Sequence, residues 1–172
     1  MNASIAALLI SLILLAQGAL GQSVEDGWKG IRPIVATKSE VQKAFGKPSV
    51  IDDNNYYGYR TEDAFIQVNY STEPCKENRY GRGKFKIAID TVLSYDVHFR
   101  KAVKLSDLNF DRSKYGKDTS GDLINSWTYF KVGGGLSITV GVMDDKNMEY
   151  VSTIHYGPSH AQAEKLECAE IK

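Results

Sequence analysis

The strongest constraint on this chain is a hydrophobic period of two that appears twice. Ala64, Ile66, Val68 and Tyr70 alternate with Phe65, Gln67, Asn69 and Ser71, and Leu136, Ile138, Val140 and Val142 alternate with Ser137, Thr139, Gly141 and Met143. Side chains two apart on a strand share a face, so each run predicts a strand with one buried and one polar face. Tyr56 to Arg60, followed by the turn-like Thr61-Glu62-Asp63, predicts a hairpin with the first run, and Thr91 to Phe99 predicts a further strand. In the second half, Trp127, Tyr129 and Lys131 lead into Gly133-Gly134-Gly135, read as a hairpin loop, and Tyr150 to Tyr156 is the return strand.

A helix precedes the first meander. Ser39 as cap, Gln42 three residues on, the stripe Val41, Ala44 and Phe45, and the stop Gly46-x-Pro48 predict its start, face and end. Trp28, Ile31, Pro33 and Ile34 form an ordered, non-helical lead-in beside it. A shift of 72 positions superposes Tyr57 on Tyr129 and Ala64, Ile66, Val68 on Leu136, Ile138, Val140. A shift of 70 matches Ala44-Phe45-Gly46-Lys47 to Lys114-Tyr115-Gly116-Lys117, with Leu105-Ser106-Asp107-Leu108 as a short helical start. The expected fold class is α+β: two related helix-plus-antiparallel-meander units, residues 22–100 and 101–172, joined near Lys101 to Lys104 in one compact domain.

The apolar run Ile5 to Ala16, followed by Ala19-Leu20-Gly21, reads as a signal peptide over residues 1–21 cleaved before Gln22, although no Lys or Arg precedes the run. The run is shorter than the roughly twenty residues a spanning helix needs, so no stable membrane insertion is expected after cleavage. An uncleaved leader tethering an envelope protein is the alternative. The expected location is secreted or periplasmic. There Cys75 and Cys168, an even pair in an exported chain, are expected to form a disulfide. Neither has a second Cys or a His at ligand spacing, so no metal is expected. Lys and Arg total 21, as do Asp and Glu. Such a balanced chain has no net field to draw nucleic acid.

The motifs Gly27-Trp28-x-Gly30-Ile31-x-Pro33, Ser39-Glu40-Val41-x-x-x-Phe45-Gly46-x-Pro48, Asp90-Thr91-Val92, Ser106-Asp107-Leu108, Tyr115 and Ile154-x-Tyr156-x-Pro158 before Cys168 together resemble an uncharacterised group of secreted bacterial proteins. That resemblance brings no activity with it. More distantly, a capped helix ending in Gly-x-Pro before an antiparallel meander resembles the β-lactamase-inhibitor and small outer-membrane-lipoprotein domain architecture. This implies a noncatalytic exported binding domain and transfers no binding residues. No Cys follows the leader's apolar run, a departure from the lipoprotein members.

Catalysis needs a nucleophile beside a base and a base beside an orienting group. No nucleophile elbow, zinc-protease helix, phosphate loop or dinucleotide turn occurs in the chain. His98 shares a strand face with Asp96 and Ser94, where side chains two apart run parallel, while His155 and His160 read as edge or loop residues. Asp52-Asp53-Asn54-Asn55 and Asp144-Asp145-Lys146-Asn147 lack alternating calcium-ligand spacing and read as turns. No catalytic residue and no cofactor is therefore assigned. Among ten tyrosines, Tyr57 and Tyr59, with Trp127 and Tyr129 in the second half, are the candidate binding residues. On an open face they would anchor a protein or carbohydrate partner; packed inward they would be ordinary strand residues. The expected function is an exported noncatalytic binding module. The rival is a small secreted enzyme whose site is assembled between the two units around His98 or His155.

Overall fold

The computed structural model describes residues 23–52, 56–75, 84–119, 125–142 and 148–168. The leader, residues 53–55 and 144–147 of the two Asp/Asn clusters, and residues 76–83 of the loop after Cys75 lie outside the described residues. Among the described residues the strands are β1 (Val50–Asp52), β2 (Tyr56–Arg60), β3 (Ala64–Tyr70), β4 (Val92–Lys104), β5 (Gly116–Asp118), β6 (Ser126–Phe130), β7 (Leu136–Val142) and β8 (Glu149–Tyr156). They form one eight-stranded sheet in the order β1-β2-β3-β4-β8-β7-β6-β5, with every neighbouring pair antiparallel. Two four-stranded meanders thus meet at β4 and β8. The α-helices α1 (Lys38–Phe45) and α2 (His160–Leu166) are short, so the chain is mostly β with a smaller helical share than an α+β reading implies.

The alternation read from the sequence sets which face is covered. Tyr59, Ile66, Val97, Ile154, Ile138 and Tyr129 pair in succession across β2, β3, β4, β8, β7 and β6, and each is at most 6% exposed. Burying an aliphatic side chain of this size contributes roughly 1.5–3 kcal/mol before the entropy of ordering it. The row equates Tyr59, rather than Tyr57, with Tyr129. The β2–β3 turn spends three residues and the β6–β7 turn five, so the offset is 70 on one strand pair and 72 on the next.

α1 presents Val41 and Phe45 to this row, one helical turn apart and both buried. Its cap is Thr37, two residues before the expected Ser39: Glu40 accepts the Thr37 backbone N–H at 2.7 Å, and the Thr37 hydroxyl accepts from the Glu40 N–H at 3.4 Å. Thr37 is already held in a bridge to Thr91, and an ionised N3 carboxylate suits the positive end of the helix better than the Gln42 amide. The helix expected before the second meander is replaced by two 3-10 turns, Leu105–Asp107 and Arg112–Lys114. Ser106, Asp107, Asn109 and Asp111 compete for the backbone there, while Leu105 is buried and Leu108, Phe110 and Tyr115 pack on the core from an irregular path. The stretch expected to join two units, Lys101 to Lys104, continues β4.

The lead-in is fastened at one buried atom. The Tyr95 hydroxyl, on β4, donates to the Ile31 carbonyl at 2.7 Å and accepts the Trp28 N–H at 2.8 Å. Burial holds that hydroxyl far above its usual titration range, so it stays a donor. Gly27 has φ +84°, and a Cβ there would lie 1.9 Å from the Ile31 oxygen, so only glycine lets the chain turn this closely. Cys75 and Cys168 are bridged across 93 positions with their Cα atoms 5.6 Å apart. Backbone bonds from Cys75 to Phe85 and from Cys168 to Lys84 surround the bridge and tie the end of α2 to the segment before β4.

Tyr95→Phe keeps the ring and orphans both backbone groups, and should lower stability by about 1–3 kcal/mol in urea unfolding. Glu25 accepts from Lys131 at 2.6 Å and from the Tyr115 hydroxyl at 3.3 Å, and the lysine is the main reason its carboxyl titrates below the ordinary range. A carboxylate depressed in the folded state stabilises above its unfolded pKa and loses that contribution as pH falls through the folded value. Glu25→Gln should therefore cost less than about 1 kcal/mol at pH 7. The difference from the parent should shrink as the pH falls below roughly 4.3, the ordinary glutamate value, and vanish only below the lower folded value.

Candidate functional site

The second face of the sheet carries the polar half of each alternation. Two histidines on neighbouring strands organise it. β4 and β8 pair Asp96 with His155 and His98 with Thr153, the residues between them, Val97 and Ile154, pointing into the core. His155 Nδ1 lies 2.7 Å from Asp96 Oδ1, each side chain less than one-third exposed. A carboxylate at Nδ1 makes that nitrogen the protonated one and leaves Nε2 the basic nitrogen of the neutral ring.

His98 uses both ring nitrogens within the protein. Nε2 is 3.0 Å from Gln67 Oε1 and Nδ1 is 3.1 Å from the Thr153 hydroxyl, while the ring stacks on Phe65. An amide oxygen only accepts, so Nε2–H donates to Gln67 and Nδ1 receives the Thr153 proton. This relay fixes the Gln67 side chain and leaves its NH2 group for other partners. Beside it, Asn69 Nδ2 donates to the Ser94 hydroxyl at 3.3 Å and leaves its amide oxygen.

These groups border one shallow cleft of about 330 Å³ lined by Gln67, Asn69, Ser94, Asp96 and His155, with Asp52 and Tyr56 towards the β1 edge. A second cleft of about 340 Å³ shares His155 and is bordered by Gly133, Gly135, Pro158, His160 and Ala163, with Phe85 from the disulfide-tied segment. α2 stands at its side, started by a capping box in which Ser159 and Gln162 exchange bonds at 2.9 and 3.2 Å. Neither cleft has a Lys or Arg among its described lining residues. Among the described residues no group of three or more His, Cys, Asp or Glu is placed to hold a metal ion.

The aromatics singled out in the sequence lie on the covered face. Tyr59 is buried and its hydroxyl bonds the Tyr70 hydroxyl at 2.8 Å; burial raises the pKa of both. Tyr129 is buried and donates to Glu149 at 2.9 Å. Tyr57 and Trp127 are half-buried at matching places, each under a lysine: Lys38 Nζ is 4.3 Å from the Tyr57 ring centre and Lys117 Nζ is 3.8 Å from that of Trp127. His160 is exposed at the start of α2.

Of the residues of the polar cleft, the sequence itself draws attention to Ser94 and Asp96 beside His98, to His155 as the rival enzyme's base and to Asp52 in a turn cluster, while Gln67 and Asn69 are not candidates. Asp96 and His155 are 59 positions apart, and only the β4–β8 pairing brings them together. The available signal was the polar half of each strand: Gln67 and Asn69 on β3 and Ser94 and Asp96 on β4, each two apart, are the short polar residues that an uncovered face requires. Ser94, which the sequence offers as a nucleophile, is itself 4% exposed and receives the Asn69 amide.

Comparison with protein-family models, with curated proteins and with solved structures finds no match to this chain.

The pairing of His155 with Asp96 is open to direct measurement. In nitrogen-15 spectra of the neutral ring, His155 should carry its proton on Nδ1, and Asp96→Ala should move the ring towards the mixture of tautomers seen for free imidazole. A His155 protonated on Nε2 in the parent would contradict the hydrogen bond.

Proposed function

We propose that the chain is an exported, noncatalytic binding module whose ligand sits on the polar face of the sheet, at the cleft beside Asp96 and His155. The observation that carries this reading is the division of the sheet. One face is closed by the lead-in, α1 and residues 105–115, while the other holds buttressed amides, a carboxylate and an imidazole around an open cleft. Polar groups held in place by their own neighbours lose little entropy on binding. The Cys75–Cys168 bridge supports an oxidising compartment outside the cytosol, and the leader reading of residues 1–21 agrees with it. No helix among the described residues is long and apolar enough to cross a membrane.

In this reading the module is built from two related units, residues 22–100 and 101–172. Its support is the pairing register: Tyr59, Ile66 and Val97 occupy places in β2, β3 and β4 that Tyr129, Ile138 and Ile154 occupy in β6, β7 and β8. By the same register, His98 corresponds to His155.

A second reading is favoured by one contact. An imidazole oriented by a carboxylate is the base-and-orienter half of a hydrolytic site, and here Asp96 comes from the first unit and His155 from the second. Among the described lining residues, the Ser94 hydroxyl that a nucleophile would supply is buried and engaged.

One experiment separates the two. Chromogenic acetate, phosphate and glycoside esters incubated with the purified protein should show no turnover that His155→Gln abolishes. A panel of sugars, short peptides and inorganic phosphate should instead yield a binder whose amide shift changes cluster on Gln67, Asn69, Asp96 and His155. Turnover lost with His155→Gln would establish the enzyme; shift changes confined to α1 and the covered face would remove the cleft as the binding site.

A further inference from the structure

We infer that the Cys75–Cys168 disulfide is a redox-operated latch: its reduction frees α2, removes one wall of the second cleft and uncovers Phe85. The device works whatever the cleft holds.

α2 has seven residues, and none of its side chains is buried. A helix this short is marginal in water without tertiary packing, so α2 depends on what fastens its two ends. At its start the His160 N–H donates to the Gly133 carbonyl at 2.9 Å, next to the capping box of Ser159 and Gln162. At its end, among the described residues, the Lys86 N–H donates to the Leu166 carbonyl at 2.7 Å and the Cys168 N–H donates to the Lys84 carbonyl at 2.8 Å. Hydrogen bonds that water can replace contribute modestly to holding a segment in place. The disulfide is the covalent fastening, and it keeps the Cα atoms of Cys75 and Cys168 5.6 Å apart.

Phe85 sits against that end of the helix. It is 6% exposed although Lys84 and Lys86 on either side of it are exposed, and it pairs with Glu167 in a bridge just past α2. With His160 and Ala163 of α2 it lines the cleft of about 340 Å³ whose other lining includes Gly135, His155 and Pro158. α2 is therefore a strap beside an apolar ring, buttoned to the rest of the chain by sulfur. Unbuttoning it widens the cleft and gives Phe85 to solvent.

The bond is placed where it can be cut without unfolding the sheet. Cys75 is exposed and Cys168 half-buried, so an incoming thiolate reaches the Cys75 sulfur in the folded protein. Cys75 also has φ +63°, a left-handed conformation that residues with a Cβ rarely adopt, and opening the bridge lets that backbone relax. Exposed and strained bridges are the labile, regulatory ones. The reductant is an exported dithiol. One of its thiolates attacks Cys75 Sγ, forms a mixed disulfide and expels the Cys168 thiolate, and its second thiol then displaces Cys75. The protein gains two electrons and two protons, and the reductant leaves as a disulfide.

The test compares the purified oxidised protein with the same protein reduced by dithiothreitol and capped with iodoacetamide, and with the double variant Cys75→Ser, Cys168→Ser, which lacks the bridge and carries no cap. In amide spectra the resonances of residues 160–168 should move to random-coil positions in both bridge-free forms, while those of β3, β4, β7 and β8 stay in place. Binding of the apolar dye anilinonaphthalene sulfonate should rise severalfold on reduction, and Phe85→Ala should remove most of that rise. Dithiothreitol should cut the bridge in the absence of denaturant faster than the sheet unfolds. If residues 160–168 keep their oxidised positions after reduction, the bridge does not hold the strap and the inference falls. If the strand resonances collapse together with those of α2, the bond is a clamp on the whole fold, and the latch is equally overturned. An unchanged dye signal means that Phe85 stays covered, and a bridge cut only at the rate of global unfolding, measured across urea concentrations, means that it is closed to reductants; either result removes the switch.

Discussion

Everything in this molecule turns on the antiparallel pairing of β4 with β8. Each is the last strand of its own meander, and a four-stranded meander would leave that strand as an edge with half its backbone groups unpaired. Joining Tyr95 to Tyr156 and Val97 to Ile154 closes both edges at once and makes one apolar row out of two. Two further pairs of the same register place Asp96 opposite His155 and His98 opposite Thr153 on the reverse face. Because side chains alternate strictly, the register that aligns the core also fixes the polar contacts; a slip of one residue would expose the core and bury the cleft together.

The covered face and the cleft are therefore two consequences of one register. On the covered side Tyr95 spends its hydroxyl on the lead-in and stacks on Tyr156 at 4.6 Å, so the centre of the sheet is also where the irregular N-terminal segment is held. That segment, with α1 and residues 105–115, covers one face alone. No comparable layer of described residues lies over Gln67, Asn69 and Asp96, although α2 and Phe85 border the neighbouring cleft. The disulfide tethers that border. By joining the segment before β4 to the end of α2 it closes a loop of 93 positions, which in the chain-entropy account restricts the unfolded state by roughly 4–5 kcal/mol.

What was legible in the sequence is what depends on neighbours along the chain. Alternation located β2, β3, β4, β6, β7 and β8, and the Thr61-to-Asp63 and Gly133-to-Gly135 turns. Three-residue edge strands such as β1 and β5 have too few positions to show a period. α1 was located but its cap was displaced, because Thr37-x-x-Glu40 and Ser39-x-x-Gln42 overlap and only the bridge of Thr37 to Thr91 decides between them. α2 had the same kind of signal in Ser159-x-x-Gln162. The aromatic residues drew attention by their bulk, and bulk is what a core uses. The cleft was hidden for a different reason: alternation says which face Asp96 and His155 take, but which strand lies beside which is a long-range choice, and β4 next to β8 is not the neighbour that chain order suggests.

The two halves then differ where the core does not require them to agree. Following the pairs outward from Val97 and Ile154, Gln67 on β3 stands where β7 has Thr139, Asn69 where it has Gly141, and Asp96 on β4 where β8 has Thr153. The inward residues of the same strands stay apolar, Ile66 against Ile138 and Val68 against Val140, all fully buried. Packing density holds the inner positions to a narrow range of volume, whereas an uncovered position costs little to change. Both halves keep a histidine, yet His98 is consumed by Gln67 and Thr153 as a brace, while His155 lines both clefts against a carboxylate. Corresponding positions thus differ in their surroundings, a brace between strands at His98 and a cleft-lining ring at His155, and the difference lies in what the paired strand presents: a threonine hydroxyl to His98 and a carboxylate to His155.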